Sequence, residues 1–224
     1  MNPATLNEIT GLGPLCEILL SDPMIAVWVL DAETKMVFCS PQASELFCGC
    51  TPEGLLGRPL NEIVPPASYH RLLTLRTMAT ERGESVVSRV VWKGQRIRTT
   101  YTIASNDTLL AVSRPDPVGL GKIESEVAEA DYVELGSLNE LTPRELEVLA
   151  LMGSGMRIRE IADHLGRSYK TVCSFRDSIG KKLGVTDRGE LVSLARSAGL
   201  EPRHASLPRT TCCVQCESGA STIG

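Results

Sequence analysis

Basic and small polar side chains recur through residues 167–182, and as a group they are suited to contact a polyanion. Lysine and arginine neutralise phosphate groups, while short polar side chains near a helix N-terminus can reach the edges of bases. The candidate contact residues are Arg167, Ser168, Lys170, Thr171, Cys173, Ser174, Arg176, Asp177, Lys181 and Lys182. They can act together only if a helix presents them on one side.

Four short helices with clear start and stop signals are predicted to position these side chains. Thr142 and Glu145 form a capping box, with a proline between them at the first helical position. Ser168 can cap a helix that runs to Leu183, in which apolar residues repeat at intervals of three and four. Two short helices joined by a tight, glycine-containing turn form a helix-turn-helix, whose second helix can lie in the major groove of DNA.

A longer motif surrounds these signals. It comprises Leu141-Thr-Pro-Arg-Glu-Leu-Glu-Val-Leu149, Ile161-Ala162, Leu165-Gly166, Thr171-Val172, Lys182-Leu183-Gly184-Val185 and Glu190-Leu191. In this motif the block resembles the LuxR-type (GerE-type) DNA-binding domain. The resemblance implies an all-α, four-helix domain whose third helix reads double-stranded DNA and whose fourth helix pairs protomers. Sigma factor region four shares the opening of the motif, but the fourth helix predicted over 187–199 favours the LuxR type.

Three residues of the third helix depart from the usual pattern. Cys173 stands where the family often has a basic residue, and Asp177 would repel phosphate if it faced DNA. Gly180 in mid-helix costs about 1 kcal/mol relative to alanine. A helical module that no longer binds DNA, or a redox role for Cys173, therefore stays an alternative at this point.

The N-terminal block predicts a five-stranded antiparallel sheet with flanking helices. A helix is expected over Ala67–Arg82, and hairpin turn signals follow at Gly94-Gln95 and at residues 105–107. The predicted strands are Met24–Asp31, Lys35–Cys39, Ser85–Lys93, Arg96–Ala104 and Thr108–Arg114.

This block resembles a PAS domain in three stretches. They are Val27-Trp-Val-Leu-Asp31, Ser40-Pro-Gln-Ala-Ser-Glu-Leu-Phe47 and Glu53-Gly-Leu-Leu-Gly-Arg-Pro-Leu60. The resemblance implies a sensor or dimerisation domain of the α+β class, with a small-molecule pocket between the sheet and the helices. Ser40 is a departure, because the family usually has asparagine there.

The candidate pocket residues are Trp28, Phe38, Phe47, His70 and Trp92. A flavin is not expected, because the segment that begins at Gly57-Arg58 lacks the reactive cysteine of flavin-binding PAS domains. His70 lies on the predicted helix that supplies the haem ligand in oxygen-sensing PAS domains, but a single histidine at a helix start is more often solvated. We therefore expect no cofactor.

The net charge of −4 divides unevenly along the chain. Residues 1–139 carry 11 Lys and Arg against 17 Asp and Glu, whereas residues 140–200 carry 10 against 8. Only the block that contains the helix-turn-helix is basic, as contact with nucleic acid requires.

The predicted segments are an N-terminal flanking helix over 1–23, the PAS-like domain over 24–115, an acidic and partly helical linker over 116–137, the LuxR-type domain over 138–200, and a disordered tail over 201–224.

Eight cysteines and three histidines complete the chemistry of the chain. Cys212, Cys213 and Cys216 form a tail cluster, but no second pair stands near enough for a structural zinc site. No phosphate-binding glycine loop and no nucleophile with a base partner is visible, so neither a metal nor an enzyme activity is expected. The apolar runs are too short for a membrane span, and a cytoplasmic protein with free thiols is predicted.

These features predict a sequence-specific transcriptional regulator whose DNA binding is modulated through a PAS sensor. The expected partners are double-stranded DNA, a second copy of the chain and a small molecule in the PAS pocket. The alternative is a protein-interaction module, or a sigma-factor-like regulator, in which the helical domain binds a protein.

Overall fold

The computed structural model describes residues 18, 20–47, 51–104, 107–116 and 127–211. The chain divides into two compact units. The first comprises Met1–Ser88, Thr99–Arg114 and Cys212–Gly224, and the second comprises Arg89–Arg98 and Pro115–Thr211. The predicted helix over 1–23 lies outside the described residues apart from 18 and 20–23, of which 18, 20 and 21 are helical. The tail cysteines also lie outside them.

Six strands form one sheet in the order β2-β1-β5-β4-β3-β6. They are Ala26–Leu30 (β1), Met36–Cys39 (β2), Val86–Trp92 (β3), Gln95–Ile103 (β4), Leu109–Pro115 (β5) and Val127–Glu129 (β6). β1 pairs antiparallel with both β2 and β5. The first five strands are the predicted ones within a few residues, and the PAS-like α+β class is confirmed with a sixth strand added.

Helices fill the chain between β2 and β3, as a PAS domain requires. They are Pro41–Phe47 (α1), Pro52–Leu55 (α2), Leu60–Ile63 (α3) and Pro66–Arg82 (α4). Gly83 caps the C-terminus of α4. Its backbone is left-handed (φ 64°), and its N–H donates to Ala79 O. α4 therefore agrees with the helix predicted over Ala67–Arg82.

The turn between β3 and β4 consists of Lys93 and Gly94, one residue earlier than the predicted Gly94-Gln95. Both residues have positive φ, 50° and 71°. Two left-handed residues in a two-residue loop match the right-handed twist of the flanking strands. Gly94 takes this conformation without strain, so the turn is set by Gly94 and the pairing register.

The second unit contains the four predicted helices of the C-terminal block. They are Pro143–Gly153 (α5), Ile158–His164 (α6), Tyr169–Leu183 (α7) and Arg188–Ser197 (α8). α5 begins with the predicted capping box, in which Thr142 N donates to Glu145 Oε2 at 2.8 Å. The helices share one apolar core, which also includes Val91 of β3 and the buried Val133 and Leu135.

Two of the predicted segments have a different local structure from the one expected. The segment expected to be a helical linker contains strand β6 and a 3-10 helix over Gly136–Glu140 in its described part. The tail expected to be disordered from residue 201 forms a second 3-10 helix over Pro202–Ala205. The physical reason is burial: Ala205 and Leu207 pack against the helical core, and His204 is only 4% exposed.

None of the helices in the described part of the chain combines the length and apolar character needed to cross a bilayer.

Candidate nucleic-acid interface

α6 and α7 form the helix-turn-helix, and residues 165–168 are the turn between them. Gly166 has a left-handed backbone with φ 60°, which reverses the chain after α6. Ser168 then caps α7, because its side-chain oxygen accepts from Thr171 N at 3.1 Å. The cap that was predicted from the sequence thus orients the N-terminus of α7.

One face of α7 is fixed in the core. Val172 and Ile179 are fully buried, and Phe175 and Leu183 pack partly against the same core. The opposite face carries Lys170, Ser174, Asp177 and Lys181, all of them exposed. These four follow one another at intervals of four, three and four, so they form a single stripe along the helix. We call them the exposed stripe of α7.

The remaining predicted contact residues are distributed around this stripe. Arg167 and Ser168 are exposed at the start of α7, and Thr171, Cys173, Arg176 and Lys182 are partly buried. Cys173 packs against the helical core. The Arg176 guanidinium lies 2.6 Å from Asp177 Oδ1, and this hydrogen-bonded pair raises the pKa of Arg176. Asp177 is therefore neutralised locally and leaves little net repulsion toward phosphate.

Lys182 is engaged inside the domain. Its Nζ lies 2.6 Å from Glu145 Oε2, and the Glu145 side chain is only 6% exposed. Ser178 Oγ donates to the other oxygen, Glu145 Oε1, at 2.5 Å. Because this pair holds Lys182 against α5, the ammonium group of Lys182 is already paired within the domain, and its contact with DNA stays a prediction.

The Glu145 carboxylate has a strongly shifted pKa. Burial alone raises it, but the hydrogen bonds from Lys182, Ser178 and Thr142 together outweigh burial and lower the pKa to about 2. The same residue completes the helix cap of α5 and anchors two residues of α7. It therefore fixes the angle at which α7 is presented.

Besides Arg159, Tyr169 is a residue of this surface that the sequence prediction missed. It is the first residue of α7 and is 54% exposed, which is unusual for a large aromatic side chain. The Arg159 guanidinium of α6 stands over its ring, 5.8 Å from the centroid. The sequence signal for Tyr169 is an aromatic residue directly after the helix cap, whereas the predicted contact residues are charged or small and polar.

Four basic side chains of the helix-turn-helix are exposed and lack an acidic partner among the described residues. Arg159, Arg167, Lys170 and Lys181 are exposed, and none makes an ion pair with the described residues. All four lie on α6, on α7 or in the turn between them. The helix-turn-helix thus presents four exposed cations, while Arg157 before α6 and Arg188 on α8 are exposed outside it.

The predicted pocket residues of the PAS-like sheet do not form one site. Trp28 contacts Phe47 and Tyr101, with ring centroids 5.1 and 5.8 Å away. Phe38 clusters instead with Val27 and Val29. Side chains alternate along a strand, so this cluster and Trp28 lie on opposite faces of the sheet.

His70 and Trp92 are the other two predicted pocket residues. His70 is exposed on α4, whereas Trp92 is buried within the second unit. The polar neighbours of Trp28 were not predicted. Its Nε1 donates to Ser113 Oγ at 3.2 Å, and Ser113 Oγ lies 2.8 Å from Thr99 Oγ1.

Comparison with known proteins identifies the helical segment. Residues 139–195 match the family of bacterial regulatory proteins called the luxR family. The transcriptional regulatory protein MctR of Rhizobium johnstonii is 40% identical over 70 residues, which are 31% of this chain and 32% of MctR. The transcriptional regulatory protein RcsB of Escherichia coli K12 is 33% identical over 86 residues, 38% of each chain. The chain thus spans about a third of the length of the curated relatives it matches.

Solved structures are similar over longer stretches but only distantly. VqmA of Vibrio cholerae, solved with a ligand and DNA, is 20% identical and has a TM-score of 0.47, covering 87% of this chain and 91% of VqmA. The PAS domain of nitrogen regulation protein NR(II) from Vibrio parahaemolyticus is 18% identical with a TM-score of 0.35, covering 45% of this chain and 95% of that domain. These scores are too low to carry an argument. On the family match and the four-helix geometry, residues 139–195 are a LuxR-type helix-turn-helix domain.

Proposed function

We propose that the chain is a sequence-specific DNA-binding transcriptional regulator that reads double-stranded DNA with α7. One observation carries the proposal: four exposed cations that make no ion pair with the described residues, Arg159, Arg167, Lys170 and Lys181, lie on α6, on α7 and in the turn between them. A helix-turn-helix places the N-terminal part of its second helix against base edges and its first helix across the backbone. Lys170 and Ser174 then face the major groove, while Arg159, Arg167 and Lys181 contact phosphates.

A second copy of the chain completes the proposed DNA-binding species. A single α7 offers few cations, so useful affinity requires two recognition helices on half-sites one helical turn apart. In this proposal the PAS-like sheet senses a small molecule near Trp28, where the hydroxyl groups of Ser113 and Thr99 are already hydrogen-bonded to each other. The regulator acts in the cytoplasm, where it meets its DNA. Native mass spectrometry of the purified full chain tests both the dimer and a retained ligand.

A salt titration of the full chain with duplex DNA tests the DNA-binding function. Affinity should fall steeply as the salt concentration rises, because each neutralised phosphate releases condensed counterions. Lys181→Ala should lower the slope of log affinity against log salt by about 1 and weaken binding to every sequence alike.

Lys35→Ala is the matched control for this titration. Lys35 is an exposed lysine of the first unit, 2.6 Å from Glu33, and its removal should leave the slope unchanged. If the full chain binds neither genomic nor random duplex at low salt, the proposal is wrong. In that case the alternative hypothesis, that the helical surface binds a protein, is favoured.

A further inference from the structure

Six charged side chains of the second unit form a closed ring in which guanidinium groups and carboxylates alternate. In order around the ring they are Arg89, Glu129, Arg203, Glu201, Arg96 and Asp116. The N···O distances, taken in that order and closing from Asp116 to Arg89, are 3.1, 2.8, 2.7, 3.0, 3.7 and 2.7 Å. At its longest contact Arg96 Nε also donates to the backbone oxygen of Asp116 at 2.7 Å. The three positive and three negative charges cancel.

The ring joins four parts of the chain. Two of its arginines lie on the β3–β4 hairpin, Asp116 follows β5, Glu129 is the last residue of β6, and the other two residues follow α8. Residues 199–211, which we call the C-terminal strap, lie beyond the end of the family match at residue 195. The strap therefore lies outside the matched LuxR-type segment.

Close backbone packing holds the same parts together. A Cβ added at Gly199 would lie 2.5 Å from Arg96 Cβ, so the strap begins in direct contact with the hairpin. At the hairpin turn, a Cβ added at Gly94 would lie 2.8 Å from Leu135 O. Gly94 N also donates to Glu134 O at 3.0 Å. Side chains at these positions would force the segments apart.

The far end of the strap is tied to the segment that leads into the helices. Val133 N donates to Pro208 O at 3.0 Å, and Thr210 N donates to Val133 O at 2.8 Å. Arg209 Nη1 donates to Asn139 O at 2.9 Å. The strap thus bridges from the hairpin to the start of the helical segment.

The ion pairs of the ring are expected to form and break reversibly. Single exposed ion pairs contribute little, but Arg96 and Asp116 are only 11% and 10% exposed, and each ring member has two partners. Removing one charge leaves both its neighbours short of a partner, so the contacts are lost together. The more exposed members, Glu201 and Arg203, make the ring sensitive to salt.

We propose that the ring and the C-terminal strap form an electrostatic latch that couples strands β3 and β4 to the DNA-binding helices. Both strands continue past the hairpin into the first unit. With the latch closed, a change in these strands shifts the segment that begins the helical domain. With the latch open, the hairpin and the helices respond independently. This goes beyond the proposed function, because it assigns the route by which a sensor would act on DNA binding.

Hydrogen exchange of the full chain without DNA tests the latch directly. Glu201→Gln keeps the size of the side chain but removes its charge. It should speed exchange of the Gly94 amide, which the ring does not touch, by about fivefold. Molar salt should produce the same change in the unsubstituted chain, without any substitution that could disturb folding. The control is Glu147→Gln, which breaks the isolated pair with Arg144 in the same unit and should leave Gly94 unchanged.

A second arm of the experiment adds duplex DNA. Coupling is reciprocal, so DNA bound to the helices should slow exchange at Gly94 in the original chain and leave it unchanged in Glu201→Gln. An equal response in both chains, or no effect of Glu201→Gln on Gly94 in the DNA-free arm, overturns the latch. If the original chain binds no duplex, the proposed function fails, while the DNA-free arm still decides the latch.

Discussion

At the scale of single residues, the Glu145 carboxylate combines two roles. It closes the cap of α5 through Thr142 and holds Lys182 and Ser178 of α7. Breaking one partner of a buried, hydrogen-bonded ion pair is costly, because the other charge stays buried without compensation. Glu145 therefore matters more for the stability and orientation of the recognition helix than its position in a capping motif suggests.

The lowered pKa of Glu145 predicts an acid-sensitive domain. The pKa of Glu145 is about 2 in the folded state against the ordinary 4.5 of a glutamate, so ionised Glu145 stabilises the fold fully above pH 4.5. That stabilisation, about 3 kcal/mol, is lost as the pH falls from 4.5 toward 2. Glu145→Gln should lower the free energy of unfolding at pH 7 and flatten this acid limb, measured by urea unfolding at several pH values. Glu147→Gln should retain the acid limb, and an unchanged limb in Glu145→Gln contradicts the assignment.

Tyr169 carries a prediction about sequence preference. Its exposed ring at the start of α7 can make apolar contact with a thymine methyl group in the major groove. Tyr169→Ala should relax the preference at one base-pair position of each half-site, by about 1 kcal/mol, without changing the salt slope. Selection of bound duplexes from a random pool measures this. Arg159→Ala should instead lower the slope of log affinity against log salt. An unaltered base preference in Tyr169→Ala would show that the ring does not face a base.

At the scale of elements, the end of α7 explains a residue that looks unfavourable in sequence. Gly184 adopts a left-handed backbone with φ 67° and donates its N–H to Gly180 O. Val185 N donates to the same oxygen at 2.9 Å. The chain folds back so closely that a Cβ at Gly180 would lie 2.6 Å from Val185 O. Gly180 is thus required by the helix end, and its cost in helix propensity is offset by this closure.

Gly180→Ala should therefore destabilise the domain, although alanine is the better helix former. The gain in propensity is about 1 kcal/mol. The clash is with a backbone oxygen that cannot move aside easily, and overpacking of this kind costs about 1–3 kcal/mol. Thermal unfolding should show a lower Tm for Gly180→Ala. Ser174→Ala on the exposed stripe of the same helix is the control and should leave Tm unchanged or raise it. A higher Tm for Gly180→Ala would disprove the close approach of Gly180 to Val185 O.

At the scale of the whole molecule, the compact units do not follow the domain borders that the sequence predicts. The second unit takes in Arg89–Arg98 from the sheet and extends to Thr211. Its core includes Val133 and Leu135, which precede the matched family segment, and Ala205 and Leu207 pack on it from the strap. The LuxR-type motif is therefore only part of the second compact unit and its core.

A fragment that follows the predicted border should be markedly less stable than a longer one. Residues 138–200 lack Val133 and Leu135, which are fully buried in the chain and worth about 1.5–3 kcal/mol each. Fragment 127–211 should exceed fragment 138–200 in unfolding free energy by at least about 3 kcal/mol, measured by urea unfolding. Leu135→Ala in the longer fragment should remove about 2–5 kcal/mol. Equal stability of the two fragments would contradict the extended core.

Local signals were enough to predict most elements. The α5 cap at Thr142, the α7 cap at Ser168 and the strands around Trp28 lie within a few residues of their predicted positions. These features depend on neighbours in sequence, through capping geometry and the alternation of apolar residues. The sequence could not distinguish exposed, unpaired cations from cations that are paired within the domain. It does not show that Lys182 is paired with Glu145 or that Arg176 is paired with Asp177.

The sequence by itself determined the helix-turn-helix, the PAS-like order of strands and helices, and the basic character of the recognition block. Tertiary structure alone decided which cations face solvent, that Phe38 and Trp28 lie on opposite faces of the sheet, and that residues 199–211 return to the hairpin. The reason is physical. Caps and periodicity act over about one helical turn, whereas the pairing of Arg96 with Glu201 joins residues more than a hundred positions apart. Such pairs are specified only when the core brings their elements together.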